Sequence, residues 1–193
     1  MDKCDFSMRI DELKRLAENN QYKEAYKVLE MMEISKVKNL KDLYVVIDVM
    51  IENERYDEAK ELLVAINSRM KSRRVLHQLI DVTIKLREID TAQKYMREFQ
   101  KLSPQDPYND VFLYQLSVML GDSYDKQIEI LERLKQNEYM EKWAYELAKT
   151  YYNAGREKDS IQECKDLILW FGDGLYVEKA KELKQLLMGE KME

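Results

Sequence analysis

The strongest constraint on this chain is a period. Ala25 in "YKEA", Ala59 in "YDEA", Ala92 in "IDTA", Gln127 in "YDKQ" and Ser160 in "EKDS" follow one another at intervals of 34, 33, 35 and 33 residues. Four residues after these anchors stand Leu29, Leu63, Met96, Leu131 and Cys164; seven after stand Met32, Ile66, Phe99, Leu134 and Leu167. Positions i, i+4 and i+7 share one face of a helix, so each anchor is expected near the start of a helix with an apolar face. Three residues before the anchors come Tyr22, Tyr56, Ile89, Tyr124 and Glu157, a bulky column broken only in the last unit. Further upstream, segments such as "LYVVIDVMIEN", "VLHQLIDVTIKL" and "WAYELAKTYY" carry a second apolar stripe at helical spacing. Each unit is thus expected to be two antiparallel helices with a tight turn at "NNQY", "ENERY", "LREID", "GDSY" or "AGRE". One such pair cannot bury its own stripes, whereas a stack of pairs can.

The residue supply agrees. Five Gly and two Pro in 193 residues provide little punctuation for a sandwich or barrel, and the hydrophobic share of 45% is too high for a disordered chain. The expected fold is all-α, a right-handed α-α superhelix of about 11 antiparallel helices forming one domain over 1–193. Its units fall at about 6–39, 40–72, 73–107, 108–140 and 141–173. Asp106 before Pro107 reads as an N-cap followed by the proline tolerated at the first helical position. After "FGDG", the segment 174–189 places Tyr176, Ala180, Leu183 and Leu187 on one face, as a capping helix would. A capped array is expected to be a complete domain.

These residues resemble the tetratricopeptide repeat (TPR) family over nearly the whole chain. In "WAYELAKTYYNAGREKDSIQECKDLILWFG", Leu147, Ala148, Tyr151 and Gly155 match that family's large, small, aromatic and turn sites. Pro104 falls where the family often carries the proline that ends a second helix. Gln127 for the small anchor, Glu157 for the tyrosine and the extra Ser123 are departures. The resemblance implies a TPR-like solenoid whose first helices line a concave groove. Some TPR co-chaperones hold a chaperone's C-terminal carboxylates with Lys, Asn and Arg on those helices. The corresponding sites here look like Ile10, Lys14, Val45, Arg74 and Gln78, of which only Arg74 would serve, so no such clamp is expected.

The sequence offers little for catalysis. A single histidine, His77, allows no two-His metal site within one chain, and the five glycines form no phosphate-binding loop. No enzyme activity, metal or cofactor is expected. Asp48 and Asp81, each eleven residues before an anchor, are the best carboxylate pair, but no nucleophile or base accompanies them. Cys4 and Cys164 lie in unlike settings and do not suggest a disulfide. A net charge of −5 works against nucleic acid and anionic lipid, the run "SRMKSRRV" notwithstanding, and no apolar stretch has the length of a membrane span. A cytoplasmic location is expected, without nucleic-acid or membrane partners.

Fifteen residues before the anchors stand Ile10, Tyr44, His77, Phe112 and Tyr145, a mainly aromatic row along the expected groove. Eighteen before stand Ser7, Lys41, Arg74, Asn109 and Lys142. The expected ligand groove therefore comprises Tyr44, His77, Phe112 and Tyr145 as anchors, Lys41, Arg74 and Lys142 as cations, and Asp48 and Asp81 as acids. Aromatic platforms flanked by polar groups suit a peptide or protein segment. The alternative for the rings is packing on neighbouring helices. Two rival roles stay open: a self-associating, homodimeric helical-repeat scaffold, and a ligand-sensing regulator acting through a partner.

Overall fold

The computed structural model describes residues 2–189; Met1 and residues 190–193, the ends of the expected domain, lie outside the described residues. The described residues form eleven α-helices and no strand. They pair as α1 (Lys3–Glu18) with α2 (Tyr22–Glu30), α3 (Leu40–Glu52) with α4 (Tyr56–Arg69), and α5 (Arg73–Lys85) with α6 (Ile89–Leu102). Then follow α7 (Tyr108–Met119) with α8 (Tyr124–Asn137), α9 (Glu141–Asn153) with α10 (Glu157–Phe171), and α11 (Leu175–Gly189). The chain divides between Leu102 and Ser103 into two compact bodies, an N-terminal one holding α1 to α6 and a C-terminal one holding α7 to α11.

The anchors sit where side-chain volume is scarcest. Ala25, Ala59 and Ala92 are fully buried near the starts of α2, α4 and α6. The two departures from alanine are also buried, and each donates a hydrogen bond to a backbone carbonyl. Ser160 Oγ donates to the Ala148 carbonyl at 2.7 Å, and Gln127 Nε2 donates to the Asp122 carbonyl at 2.9 Å. A buried polar group without a partner would cost about 1–3 kcal/mol, so these bonds explain why the small site accepts them. Of the residues seven after the anchors, all five are buried. Burying a leucine- or phenylalanine-sized side chain contributes about 1.5–3 kcal/mol, making this column a main source of cohesion.

One turn recurs five times. Its left-handed residue is Asn20, Glu54 or Arg87 in the N-terminal body and Gly121 or Gly155 in the C-terminal body. The next N–H donates to a carbonyl five residues back: Gln21 to Leu16, Arg55 to Met50, Glu88 to Thr83, Asp122 to Ser117 and Arg156 to Tyr151, all at 2.8–3.0 Å. This is the Schellman closure of a helix C-terminus. The left-handed residue lies five before the anchor everywhere except at Gly121, six before Gln127, where the extra Ser123 shifts it.

Three expectations are modified. Met32 is buried but lies beyond α2, which stops at Glu30; a 3-10 turn at Ile34–Lys36 follows, so α2 has 9 residues where α4, α6 and α8 have 14. Tyr124 is exposed: Ser123 caps α8 through the Lys126 N–H and leaves the tyrosine as the outward-facing first residue. In α11 the buried set is Val177, Ala180 and Leu187. Asp106 does cap α7, its Oδ1 accepting the Tyr108 N–H at 3.0 Å, while Pro107 already has helical dihedrals.

Candidate functional site

In the N-terminal body, α3 and α5 carry six of the nine residues expected to line the groove, and Tyr44, Asp48 and Arg74 meet between the two helices. Tyr44 follows the first turn of α3, which Asn39 starts by accepting the Lys41 N–H at 2.8 Å. Ser72 caps α5 in the same way, through the Val75 N–H, and so sets Arg74 in the first turn. The Arg74 guanidinium carbon lies 3.9 Å from the Tyr44 ring centroid, well inside cation-π range. Arg74 Nη2 is also 3.4 Å from Asp48 Oδ2, while Gln78 Nε2 donates to Asp48 Oδ1 at 2.9 Å. Asp48 therefore holds two side chains of α5 from one turn below Tyr44. The Gln78 carbonyl oxygen is enclosed and accepts no hydrogen bond among the described residues.

His77, half-buried, meets Phe99 edge-on at 6.3 Å between ring centroids, and its Nε2 is 3.2 Å from Asp81 Oδ2. Asp48 is thus engaged by two α5 side chains, Arg74 and Gln78, and Asp81 by a third, His77. Lys41 is exposed at the start of α3. On the other flank of α3, Asp42 pairs with Lys14 of α1 at 2.6 Å; that hydrogen bond raises the lysine above its ordinary range against the opposing effect of burial.

In the C-terminal body the same register gives different depths. Phe112 is 1% exposed and its ring lies 5.8 Å from that of Tyr108, so it packs in the interior and offers no surface to a ligand. Ile10, at the same register position in α1, is buried too. Tyr145 is half-buried on α9, with its ring 6.0 Å from Tyr176 of α11. Lys179 Nζ lies 5.9 Å from the Tyr145 ring and 5.1 Å from the Tyr176 ring, and Lys149 Nζ lies 5.8 Å from the former. Burial raises the Tyr145 phenol above its usual range, with Lys149 opposing the shift. Lys142 is exposed, its Nζ 4.8 Å from the Trp143 ring.

The expected row thus separates by depth: Ile10 and Phe112 are core, whereas Tyr44, His77 and Tyr145 keep part of their surface. Sequence reasoning missed Tyr176 and Lys179, although the period reaches them. Adding 34 to Lys142 and Tyr145 gives Tyr176 and Lys179, so α11 continues the first-helix columns beyond the fifth anchor. It also missed a pocket of about 480 Å³ in the N-terminal body, away from the expected groove residues, between the 31–39 segment and α4. Among the described residues no group of three or more His, Cys, Asp or Glu is arranged to hold a metal, and no helix is long and apolar enough to cross a membrane.

No protein-family model and no curated protein matches the sequence significantly. Solved structures do match in fold. TTC0263, a thermophilic TPR protein of Thermus thermophilus, aligns with a TM-score of 0.70 at 14% identity, over 92% of this chain and 98% of that one. A tetratricopeptide repeat protein of Parabacteroides merdae gives 0.77 at 12% identity, over 99% of this chain and 75% of that one. MamA of Desulfovibrio magneticus gives 0.62 at 13% identity, over 84% of this chain and 93% of that one. Eleven α-helices among the described residues, a period near 34 residues and a turn repeated five times together identify the fold as that of a TPR-like helical-repeat solenoid.

Proposed function

We propose that this protein is a non-catalytic interaction module that receives a peptide or protein segment on the first-helix face, with the α3/α5 side of the N-terminal body as the principal contact. The observation that carries this reading is the Tyr44–Arg74–Asp48–Gln78 group, where a partly exposed aromatic ring, a guanidinium and a carboxylate are held together by their own contacts. Side chains already ordered lose less entropy on binding, and tyrosine and arginine are the types that most often dominate interfaces. His77, Asp81 and Lys41 extend the polar surface on the same two helices, and Tyr145, Tyr176, Lys179 and Lys142 form a second aromatic and cationic patch in the C-terminal body. Phe112 belongs to the scaffold.

Selection of binders from a random peptide library, followed by amide hydrogen exchange with and without a selected peptide, tests this reading. Added protection is expected on α3 and α5. Peptides that protect only other helices, or a library yielding none, would refute it.

A further inference from the structure

The shortened α2 leaves something open. In the later repeats the second helix runs to 14 or 15 residues, but α2 ends after 9, and residues 31–39 cross as a loop with one 3-10 turn. The ground that the missing turns would have covered is the pocket of about 480 Å³, a size typical of sites that hold a ligand or an anchoring side chain. Its apolar lining comes from Ile34, Val37 and Leu43 on one side and Leu62, Ala65 and Ile66 of α4 on the other. Its rim carries both charges, Glu58 and Glu61 on α4 with Lys38 and Arg69.

The same chain carries a matching projection. At the corner between α10 and α11, Leu169 is 87% exposed, Trp170 71% and Leu175 65%. Trp170 is held edge-on against Tyr139 at 5.9 Å between centroids, which fixes the ring while leaving most of it in water. Lys165, four residues before Leu169, and Asp173, three after Trp170, are both exposed, so the corner brings a cation and an anion to a rim that displays both signs. A projecting apolar group on one part of a chain and a complementary pocket on another define a heterologous contact between copies.

We propose that the protein associates head to tail, the Leu169–Trp170–Leu175 corner of one copy entering the α2–α4 pocket of the next, with Lys165 facing Glu58 and Glu61 and Asp173 facing Lys38 and Arg69. Three large side chains bury an area below that of a standard interface, so the association is weak and needs high protein concentration. It uses neither Tyr44 nor Arg74, so its failure leaves the proposed peptide site standing.

Sedimentation velocity up to about 1 mM protein tests the proposal. The weight-average mass of the wild type rises above the 23.2 kDa monomer with concentration. Trp170→Ala, which removes the projection, and Ala65→Trp, which fills the pocket, are each monomeric over the same range, with thermal melts showing that both fold. Mixed together, the two variants restore one intact contact, and growth stops at a dimer. A wild type monomeric throughout, a Trp170→Ala variant that associates like wild type, or a mixture that stays monomeric would each overturn the proposal.

Discussion

The Arg74 guanidinium carbon sits 3.9 Å from the centroid of the Tyr44 ring, on a carboxylate from the same helix as that ring, Asp48. The Arg74 and Asp48 side chains remain 52% and 44% exposed, and exposed pairs of this kind contribute about 1 kcal/mol or less. Arg74→Ala is therefore expected to leave the melting temperature within about 4 °C of wild type. A larger fall would place Arg74 in the scaffold.

The repeated turn has unequal occupants. Glu54 and Arg87 adopt φ values of 58° and 59°, where an L side chain costs about 1–2 kcal/mol, while glycine forfeits only part of that in unfolded-state entropy. Glu54→Gly and Arg87→Gly are each expected to stabilise by about 0.5–1 kcal/mol in urea unfolding. Gly155→Ala, at φ 75°, is expected to destabilise by about 1 kcal/mol, although a methyl group there meets no neighbouring atom.

Those turns also show what was legible beforehand. Anchor, face and turn repeat at a fixed spacing, so the sequence alone places Ala59, Leu63 and Ile66 in the core and the turn at "ENERY". Depth across the first helices is another matter. Tyr145 and Phe112 occupy the same register position, yet one keeps surface and the other has almost none, because burial there depends on how neighbouring helices close over the ring. The early end of α2 had no signal in glycine or proline: "MMEISKVKN" contains neither, only Ile34, Ser35 and Val37 as weak helix formers. Without that end the pocket could not be inferred, and the unbroken 34-residue spacing from Ala25 to Ala59 conceals it.

In the C-terminal body, Glu163 is 4% exposed and bound by Lys135 at 2.6 Å and by the Tyr139 hydroxyl at 2.9 Å. Lys135→Met strands a buried carboxylate and is expected to cost about 2–4 kcal/mol at pH 7 in chemical unfolding. Burial disfavours the Lys135 charge, but the hydrogen bond and charge of Glu163 outweigh it and raise the lysine above 10.5. A raised lysine stabilises the fold fully below its unfolded value and loses that contribution as pH rises through the folded one. The stability difference between wild type and Lys135→Met is therefore expected to shrink as pH rises above about 10.5.

Cys164 is fully buried, and burial pushes its thiol up to about 11, whereas Cys4 is exposed. One thiol is expected to react with an aromatic disulfide reagent in the native protein at about pH 8, and the second only in denaturant. Two fast thiols in the native state would mean that the α10 core opens readily.

The most direct measurement is fluorescence anisotropy with a library-selected peptide that protects α3 and α5, titrated against wild type, Tyr44→Ala and Phe112→Leu. Losing the tyrosine platform is expected to weaken binding at least about tenfold with little change in melting temperature. Phe112→Leu, inside the core, is expected to lower the melting temperature and leave affinity nearly unchanged. Tyr44→Ala binding within about twofold of wild type would contradict the placement of the ligand on this face.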